Sequence, residues 1–291
     1  IEFSNLFISR DSRVRKPSLF FLTRGSILKT IYAPFKVEWL WLDTPYNMFD
    51  GKKIIVVMPA YNAAKKITSV FKRIPKEIWS SDFFVIIVND GSTDETREKI
   101  LEIKSRWSNR ISVIDKPKNE GYARAQKDGF EEALRRGADI VILLHSDGQY
   151  APEVLPELLR PFKEGIDIVQ GSRMVNKRSA LKGGMPFYKF IANIVLSSLE
   201  NLVFHLNFAE YHSGYMLYSR KALETIPFKR LSDTFHFDGE MLLVGAKKGL
   251  RVKEIAIPTL YADEVSHLKP IQYGLNVIKI MIRYLFGKYN F

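Results

Sequence analysis

The feature that most constrains the fold of this chain is a series of short, β-branched runs that recur about every 27–30 residues. The runs are Ile54–Met58, Phe84–Val88, Ile111–Ile114, Ile140–Leu144 and Asp167–Gln170. They are continuously apolar rather than alternating, which is typical of strands buried on both faces of a parallel sheet. Their interval is close to the length of one strand–helix–strand unit. The sequence therefore predicts an α/β fold, with a mostly parallel sheet flanked by helices.

The clearest helix is predicted from Gly121 to Arg136, between the third and fourth runs. Five residues on one face of it carry the amphipathic pattern: Ala123, Gln126, Phe130, Ala133 and Leu134. Gly137 stands where a helix commonly ends. Ligands of open α/β sheets bind outside the carboxyl ends of the strands, so we expect the chemistry in the loops that follow the strands.

Composition narrows the class of protein and its partners. The chain has 291 residues, of which 46% are hydrophobic, and this is too apolar for intrinsic disorder. A formal net charge of +12 predicts an anionic partner such as nucleic acid, a phosphorylated substrate or an acidic membrane. The absence of cysteine excludes disulfides, thiolate metal sites and a cysteine nucleophile.

We expect a cytoplasmic protein that is peripheral on the cytoplasmic face of a membrane. No stretch reaches the ~18 uninterrupted apolar residues of a spanning helix, and Ile1 to Arg15 lacks the pattern of a secretory signal. The pattern divides the chain into a basic and aromatic N-terminal arm (1–50), an α/β domain (51–265) and a basic amphipathic C-terminal helix (266–291).

Two stretches of the second half carry no acidic residue. One lies between Asp167 and Glu200, and the other follows Glu264. In both, basic residues alternate with apolar ones, and Phe187–Phe208 has the spacing of an amphipathic helix or helical pair. Such a segment can lie in a membrane interface or pack on the protein core with its basic face exposed. The sequence leaves both interpretations open.

The first two strands are followed by residues suited to a nucleoside. Tyr61 follows the first strand and can offer a flat ring to a base. Asp90, at the end of the second, can accept hydrogen bonds from a base imide or a ribose hydroxyl, and Gly91 permits close backbone approach. An ordinary helix cap with a solvated carboxylate would have the same sequence.

The later loops add positive charge and oxygen donors. Lys118 and Lys127 flank a helix start, which favours anions. Asp147 and Gln149 follow the fourth strand and offer the oxygen ligands that Mg²⁺ or Mn²⁺ prefers. A capping turn at Asp147 and a buried core histidine at His145 are the alternatives.

These motifs together form an ordered set along the chain. They are Pro59-Ala60-Tyr61-Asn62, Asn89-Asp90-Gly91-Ser92-Thr93-Asp94, Asn119-Glu120-Gly121, Ser146-Asp147-Gly148-Gln149, Gly171-Ser172-Arg173, Ser213-Gly214-Tyr215, Tyr218-Ser219-Arg220, Phe237-Asp238-Gly239-Glu240 and Ser266-His267-Leu268. From about Lys52 to Leu285 the chain resembles inverting family 2 glycosyltransferases of the GT-A fold. Within that group it is most similar to the polyprenyl-phosphate glycosyltransferases typified by dolichol-phosphate mannose synthase.

The resemblance implies a UDP- or GDP-sugar donor, a polyprenyl or dolichyl phosphate acceptor and Mg²⁺ or Mn²⁺. The implied donor-binding residues are Pro59, Ala60, Tyr61, Asp90, Lys118, Gly121, Lys127, Ser146 and Asp147. The metal ligands would be Asp147, Gln149 and His145, and the acceptor or phosphate contacts Arg173, Ser213, Arg220 and His267. The catalytic residues would be Asp147, Asp238, Glu240 and Arg173.

The chain departs from the family pattern at two of these positions. The first carboxylate of the acidic metal motif is replaced by His145, which could itself ligate the metal or contact the diphosphate. The basic residue of the late motif is His267, whose contact with phosphate would be weaker and sensitive to pH.

The acceptor decides whether a general base is needed. A lipid phosphate is already anionic at neutral pH, whereas a sugar hydroxyl needs a base, for which Asp238 and Glu240 are the candidates. The basic, amphipathic segments favour the lipid phosphate. The missing carboxylate leaves a non-catalytic nucleotide-sugar-binding protein as a further alternative. The first loop lacks the Gly-rich pattern of a nucleotidyltransferase, and no nucleic-acid-binding module supports a nucleic acid partner.

Overall fold

The computed structural model describes residues 51–79, 82–258 and 270–289. The predicted N-terminal arm, the boundary at residue 265 and His267 lie outside the described residues. A helix at Pro270–Leu285 lies within the range predicted for the C-terminal helix.

The described part of the chain contains one seven-stranded sheet, in the order β3-β2-β1-β4-β6-β5-β7. The strands are β1 (Ile54–Ala60), β2 (Phe83–Asn89), β3 (Ile111–Asp115), β4 (Ile140–Leu143), β5 (Ile168–Ser172), β6 (Met216–Ser219) and β7 (Val252–Ala256). Only β6 runs against its neighbours, β4 and β5. The predicted α/β class with a mostly parallel sheet is confirmed.

The apolar runs form strands because both faces of the sheet are covered. Successive side chains of a strand point to opposite faces. In β1, Ile55 and Val57 belong to one hydrophobic core, while Ile54 and Val56 belong to another on the opposite face, and all four are almost fully buried. A strand that is buried on both faces is apolar at successive residues, so its sequence is a continuous apolar run.

Nine α-helices surround this sheet in the described ranges. They are α1 (Ile67–Lys72), α2 (Thr96–Arg106), α3 (Tyr122–Arg135), α4 (Leu155–Leu159), α5 (Lys177–Lys182), α6 (Phe187–Phe204), α7 (Arg220–Thr225), α8 (Phe237–Lys247) and α9 (Pro270–Leu285). Helix α3 agrees with the predicted helix to within one residue at each end. A Cβ on Gly129 would lie 2.2 Å from Cγ1 of Val57, so glycine here allows α3 to pack closely on β1.

Helix α6 is the one helix of the described residues with the length and mean apolar character of a membrane span, although polar residues interrupt its sequence. By length and composition alone it could cross a membrane, as core helices of globular proteins also can. Three of the polar residues that interrupt its apolar sequence, Asn193, Ser197 and Glu200, are buried against the protein. Its other face carries exposed apolar side chains, and the helix packs beside α9.

One edge of the sheet collects the carboxyl ends of β1, β2, β4 and β5 and the start of β6; we call it the C-terminal edge. The loops there are joined by hydrogen bonds. Asp90 N donates to Ala60 O at 2.9 Å, and Ser146 Oγ donates to Pro59 O at 2.8 Å. The loops that follow the first, second and fourth strands therefore lie side by side.

Candidate active site

The loop after β1 is held by the loop after β2. The backbone N–H of Asn62 donates to Ser92 Oγ at 3.1 Å, and Asn62 Oδ1 accepts from Thr93 N at 2.9 Å. Asn62 adopts a left-handed φ of 49°, which an asparagine tolerates better than most residues. The turn leaves the neighbouring Tyr61 ring 41% exposed, as a stacking surface for a base must be.

Asp90 holds the loop before α3 and is not a solvated helix cap. It is 3% exposed, and its two oxygens accept hydrogen bonds from the backbone N–H groups of Glu120 (3.0 Å) and Gly121 (2.9 Å). Lys116, which the sequence analysis missed, lies 3.4 Å from the same carboxylate. A Cβ on Gly91 would lie 2.2 Å from the carbonyl carbon of Lys118, so a residue with a side chain does not fit at this position.

The two lysines predicted to bind donor are placed differently. Lys118 is exposed at the C-terminal edge. Lys127 is buried in α3, where its Nζ donates to Leu231 O and to Asp233 Oδ1, both at 2.6 Å. Lys127 therefore fastens the segment before α8 to α3.

The loop after β4 presents Asp147 in a tight turn. Its Oδ1 accepts from the backbone N–H of Gln149 at 3.0 Å, and Gly148 in between has a φ of +78°. Asp147 and Gln149 are partly exposed at the C-terminal edge, beside the buried Ser146. Oxygen donors from both side chains are thus available within three residues.

His145 faces the start of α3. Its Nε2 lies 3.1 Å from the Tyr122 hydroxyl, and its ring meets the Tyr150 ring edge to face. Because the Tyr122 hydroxyl donates its hydrogen to Asp238 Oδ2 at 2.5 Å, Nε2 of His145 supplies the hydrogen in the His145–Tyr122 contact. This partnership supports the alternative of a hydrogen-bonded histidine at this position.

Asp238 differs from Glu240, the other candidate base. Asp238 is 5% exposed, and its Oδ1 makes no correctly directed hydrogen bond among the described residues. Burial raises its pKa, against the opposing effect of the nearby Tyr122, His145 and Gln126 side chains. Glu240 contacts the Ser232 and Tyr289 hydroxyls and accepts from Ser232 N at 2.9 Å. The carboxylate of Glu240 is therefore occupied by structural contacts, and Asp238 is the one that faces the site.

Arg173 lies at the C-terminal edge, oriented by a buried carboxylate. Its Nη2 lies 2.7 Å from Oε2 of Glu210 and donates to His212 O at 2.6 Å. Burial raises the pKa of Glu210, but Arg173 and Asn193 more than offset this, and the pKa stays below its usual range. Ser213 is fully buried and donates to Gly171 O, which joins the segment before β6 to β5.

The structure does not bring Arg220 to this edge. Because β6 is antiparallel to β4, its last residue, Ser219, lies opposite Ile140, the first residue of β4. Arg220 follows at that opposite edge and pairs with Glu224 at 2.8 Å. Arg220, which the resemblance implied as a phosphate contact, therefore lies at the edge of the sheet opposite Tyr61, Asp90 and Asp147.

Tyr122 and Glu210 were not among the site residues predicted from the sequence. Each is recognisable only through its partner, since Tyr122 bonds to Asp238 and Glu210 to Arg173, residues far away along the chain. Tyr122 stands directly after the Asn119-Glu120-Gly121 motif, and that adjacency was the one available signal.

Comparison with known proteins gives a consistent result. Residues 55–227 match the model of the glycosyl transferase family 2. The chain is 30% identical to an uncharacterised protein of Methanocaldococcus jannaschii, over 84% of this chain and 96% of that protein. It is 28% identical to the UDP-N-acetylglucosamine–dolichyl-phosphate N-acetylglucosaminyltransferase of Methanococcus voltae, over 73% of this chain and 87% of the relative.

The fold also resembles a solved structure. Glucosyl-3-phosphoglycerate synthase from Mycobacterium tuberculosis, crystallised with Mn²⁺ and UDP-glucose, superposes with a TM-score of 0.58 at 20% identity, over 84% of this chain and 83% of that one. At this identity the likeness concerns the fold alone, and it confirms the predicted GT-A architecture.

Proposed function

Since this chain belongs to glycosyl transferase family 2, we propose that it transfers a sugar, with inversion, from a nucleoside diphosphate to a polyprenyl or dolichyl phosphate. The observation that carries the proposal is the convergence of the loops after β1, β2 and β4 at one edge of the sheet. Tyr61, Asp90 and Asp147 lie on these three loops. A base, a ribose and a diphosphate would extend across the three loops in that order.

The donor half of the site fits a hard divalent cation. The Asp147 carboxylate and the Gln149 amide offer oxygen ligands on one turn, and Mg²⁺ or Mn²⁺ commonly completes such a set with waters and substrate phosphates. When bound, the cation would offset negative charge on the leaving diphosphate. His145 already contacts Tyr122, so we assign the metal to Asp147 and Gln149 and give His145 a positioning role.

The acceptor half of the site lies beside helix α6, whose other face is apolar and exposed. Glu210 binds both Arg173 and Asn193 of α6, so a phosphate held by Arg173 would lie close to that helix. We define the apolar face as the exposed apolar side chains of α6 and the segment 271–286: Phe187, Tyr188, Ile191, Val195, Leu199, Leu202, Ile271, Leu275, Ile278, Ile282, Leu285 and Phe286. Lying in a membrane interface, this face would hold Arg173 where the phosphate of a lipid carrier emerges.

The homologue from Methanococcus voltae, named for transfer to dolichyl phosphate, supports this acceptor. A phosphate monoester needs no general base, because it is already ionised at neutral pH. Asp238 supports a second candidate, transfer to a sugar hydroxyl, since its buried Oδ1 makes no correctly directed hydrogen bond in the described structure and could accept a proton. Both carboxylate oxygens of Glu240 already have hydrogen-bond partners, so neither is available to accept a proton in this way.

The test is transfer by purified full-length protein from UDP- and GDP-sugars, with Mn²⁺, to a short polyprenyl phosphate or to a sugar hydroxyl acceptor. We expect a polyprenyl-phosphate sugar of inverted anomeric configuration, identified by mass spectrometry and NMR. Transfer to the hydroxyl alone would overturn the lipid acceptor in favour of the second candidate. Binding of a nucleoside diphosphate with no transfer to either would indicate a non-catalytic protein.

A further inference from the structure

Away from Asp147, three side chains that no proposed catalytic step uses meet in the interior. Glu200 comes from α6, His212 precedes β6 and His236 immediately precedes α8. Oε2 of Glu200 lies 3.2 Å from Nε2 of His212, and Oε1 lies 3.3 Å from Nε2 of His236. Glu200 is fully buried and His236 is 2% exposed.

The groups at the centre of this cluster are poorly paired. Neither oxygen of Glu200 makes a correctly directed hydrogen bond with any described group, and neither does Nε2 of His212. A buried carboxylate without such bonds is costly, and it is normally compensated by a cation or by several donors. Two imidazole nitrogens at ion-pair distance are its nearest polar neighbours here.

The second ring nitrogen of each histidine, Nδ1, has a hydrogen-bond partner. Nδ1 of His212 lies 2.7 Å from the Tyr273 hydroxyl, and Nδ1 of His236 lies 3.0 Å from the same oxygen. If all four contacts, two to Glu200 and two to Tyr273, were hydrogen bonds, they would need four hydrogens. An ionised Glu200, two neutral imidazoles and one phenol supply only three. A metal ion bound by Nε2 of both histidines would remove this shortfall, because both Nδ1–H groups could then donate to Tyr273.

We propose that Glu200, His212 and His236 form a binding site for a divalent transition metal ion, with Zn²⁺ as the preferred occupant. The ligands would be Nε2 of both histidines and the Glu200 carboxylate. Both Nδ1–H groups would then donate to Tyr273, the arrangement by which second-shell groups orient metal-bound histidines. Imidazole nitrogens favour Zn²⁺ over Mg²⁺.

The separations in the cluster suit this ion. Ligand atoms bound tetrahedrally at about 2.0–2.1 Å lie about 3.3 Å apart. The two measured carboxylate–imidazole distances are 3.2 and 3.3 Å, and one ligand atom from each residue falls within a 4.8 Å cluster. Two nitrogens and one carboxylate oxygen would supply three ligands, as in His₂Glu zinc sites, and a water would complete the tetrahedron.

Such an ion would join the apolar face to the candidate active site. It would bind α6, the segment before β6 and the start of α8, and reach α9 through Tyr273. His212 also accepts from Arg173 through its carbonyl, and His236 stands two residues before Asp238. The ion would thus hold the membrane-facing helices in a defined position relative to the acceptor site.

The competing state is a buried ion pair, in which Glu200 faces one protonated histidine and no metal binds. Full-length wild-type protein, stripped with a chelator and titrated with Co²⁺, separates the two. We expect one equivalent of Co²⁺ to give the visible absorption of a four-coordinate site, one equivalent of Zn²⁺ to abolish it, and the isolated protein to contain zinc. A wild-type protein that shows neither the absorption nor stoichiometric zinc would overturn the proposal.

Variants then test whether the visible absorption of bound Co²⁺ arises from these residues. His212→Ala and His236→Ala should each lose it and lower metal content at least tenfold, whereas Asp147→Ala should keep it, because that residue lies in the donor site. His205→Asn is the matched control, since His205 lies outside the cluster in a left-handed conformation that asparagine accepts. Retention of the signal by both histidine variants would equally contradict the assignment. Circular dichroism checks folding, and the wild-type titration decides even if a variant fails to fold.

Discussion

The Tyr122 hydroxyl donates a 2.5 Å hydrogen bond to the Asp238 carboxylate and thereby joins the first turn of α3 to the first turn of α8. Burial and then the Asp238 charge raise the pKa of Tyr122 well above its ordinary value, so the phenol keeps its proton. This hydrogen bond therefore links the donor loop before α3 to the carboxylate that could act as a base.

Asp238→Asn distinguishes the two acceptor classes. A general base contributes about 10²–10⁴-fold, so transfer to a sugar hydroxyl should fall by that factor. Transfer to a polyprenyl phosphate should change less than about tenfold, because that acceptor needs no proton removed. Steady-state rates with both acceptors measure this. Glu240→Gln is the control, since it should alter stability without altering the ratio of the two rates.

The same substitution makes a prediction about stability. Burial raises the pKa of Asp238 in the folded protein, so the folded state keeps this proton to higher pH than the unfolded state does. The wild type therefore loses stability as pH rises from the ordinary aspartate pKa through the raised one. Asp238→Asn does not ionise, so its unfolding free energy relative to wild type should improve across that window. Urea unfolding at several pH values measures the difference, and a pH-independent difference would contradict the raised pKa.

Asp147→Ala should separate metal-dependent from metal-independent donor binding. In the wild type, UDP or GDP with Mn²⁺ should raise the melting temperature more than the nucleotide alone, because ligands that bind only the folded state stabilise it. The variant should lose the Mn²⁺ increment and keep the nucleotide increment, while turnover falls about 100-fold or more. Glu224→Gln, at the opposite edge of the sheet, should match the wild type in both assays. An unchanged Mn²⁺ increment in Asp147→Ala would place the metal elsewhere.

The sequence predicted the parallel part of the fold because its strands are buried on both faces and read as continuous apolar runs, as in Ile54–Met58. It did not reveal β6, because its sequence, Met-Leu-Tyr-Ser, has none of the β-branched residues that marked the predicted strands. The reversal of β6 puts Arg220 at the wrong edge for a phosphate contact. Glu210 was not predicted for a different reason. The role of a buried acid becomes clear only from its partner, and its partner Arg173 is 37 positions away in the sequence.

Arg173 and Glu210 should behave as a coupled pair. Glu210 is fully buried, so Arg173→Met would leave its charge uncompensated and cost about 3–5 kcal/mol of unfolding free energy. Glu210→Gln should cost less, because the Arg173 side chain is 16% exposed and can be partly solvated. The double variant should recover part of the loss. Urea unfolding of the four proteins measures the coupling, and strictly additive losses would mean that the pair does not interact.

Acid should weaken this pair. The folded pKa of Glu210 lies below its ordinary value of 4.5, so its contribution to stability is present above that value and is lost as pH falls through the folded pKa. The stability difference between wild type and Glu210→Gln should therefore shrink over that acidic range and stay constant at neutral pH. A difference that persists at the lowest pH would indicate a packing effect of the substitution.

The apolar face of α6 and the segment 271–286 should bind membranes through side chains that the fold leaves unburied. Leu275→Glu with Ile282→Glu removes two of them, each with about 1.5–3 kcal/mol of apolar burial at stake, so vesicle binding should weaken more than tenfold. Leu101→Glu is the matched control, because Leu101 is 44% exposed on α2, outside this face. Co-sedimentation with anionic vesicles measures the affinity. Equal losses in the control and the double variant would mean that added negative charge, and not the loss of this face, weakens the binding.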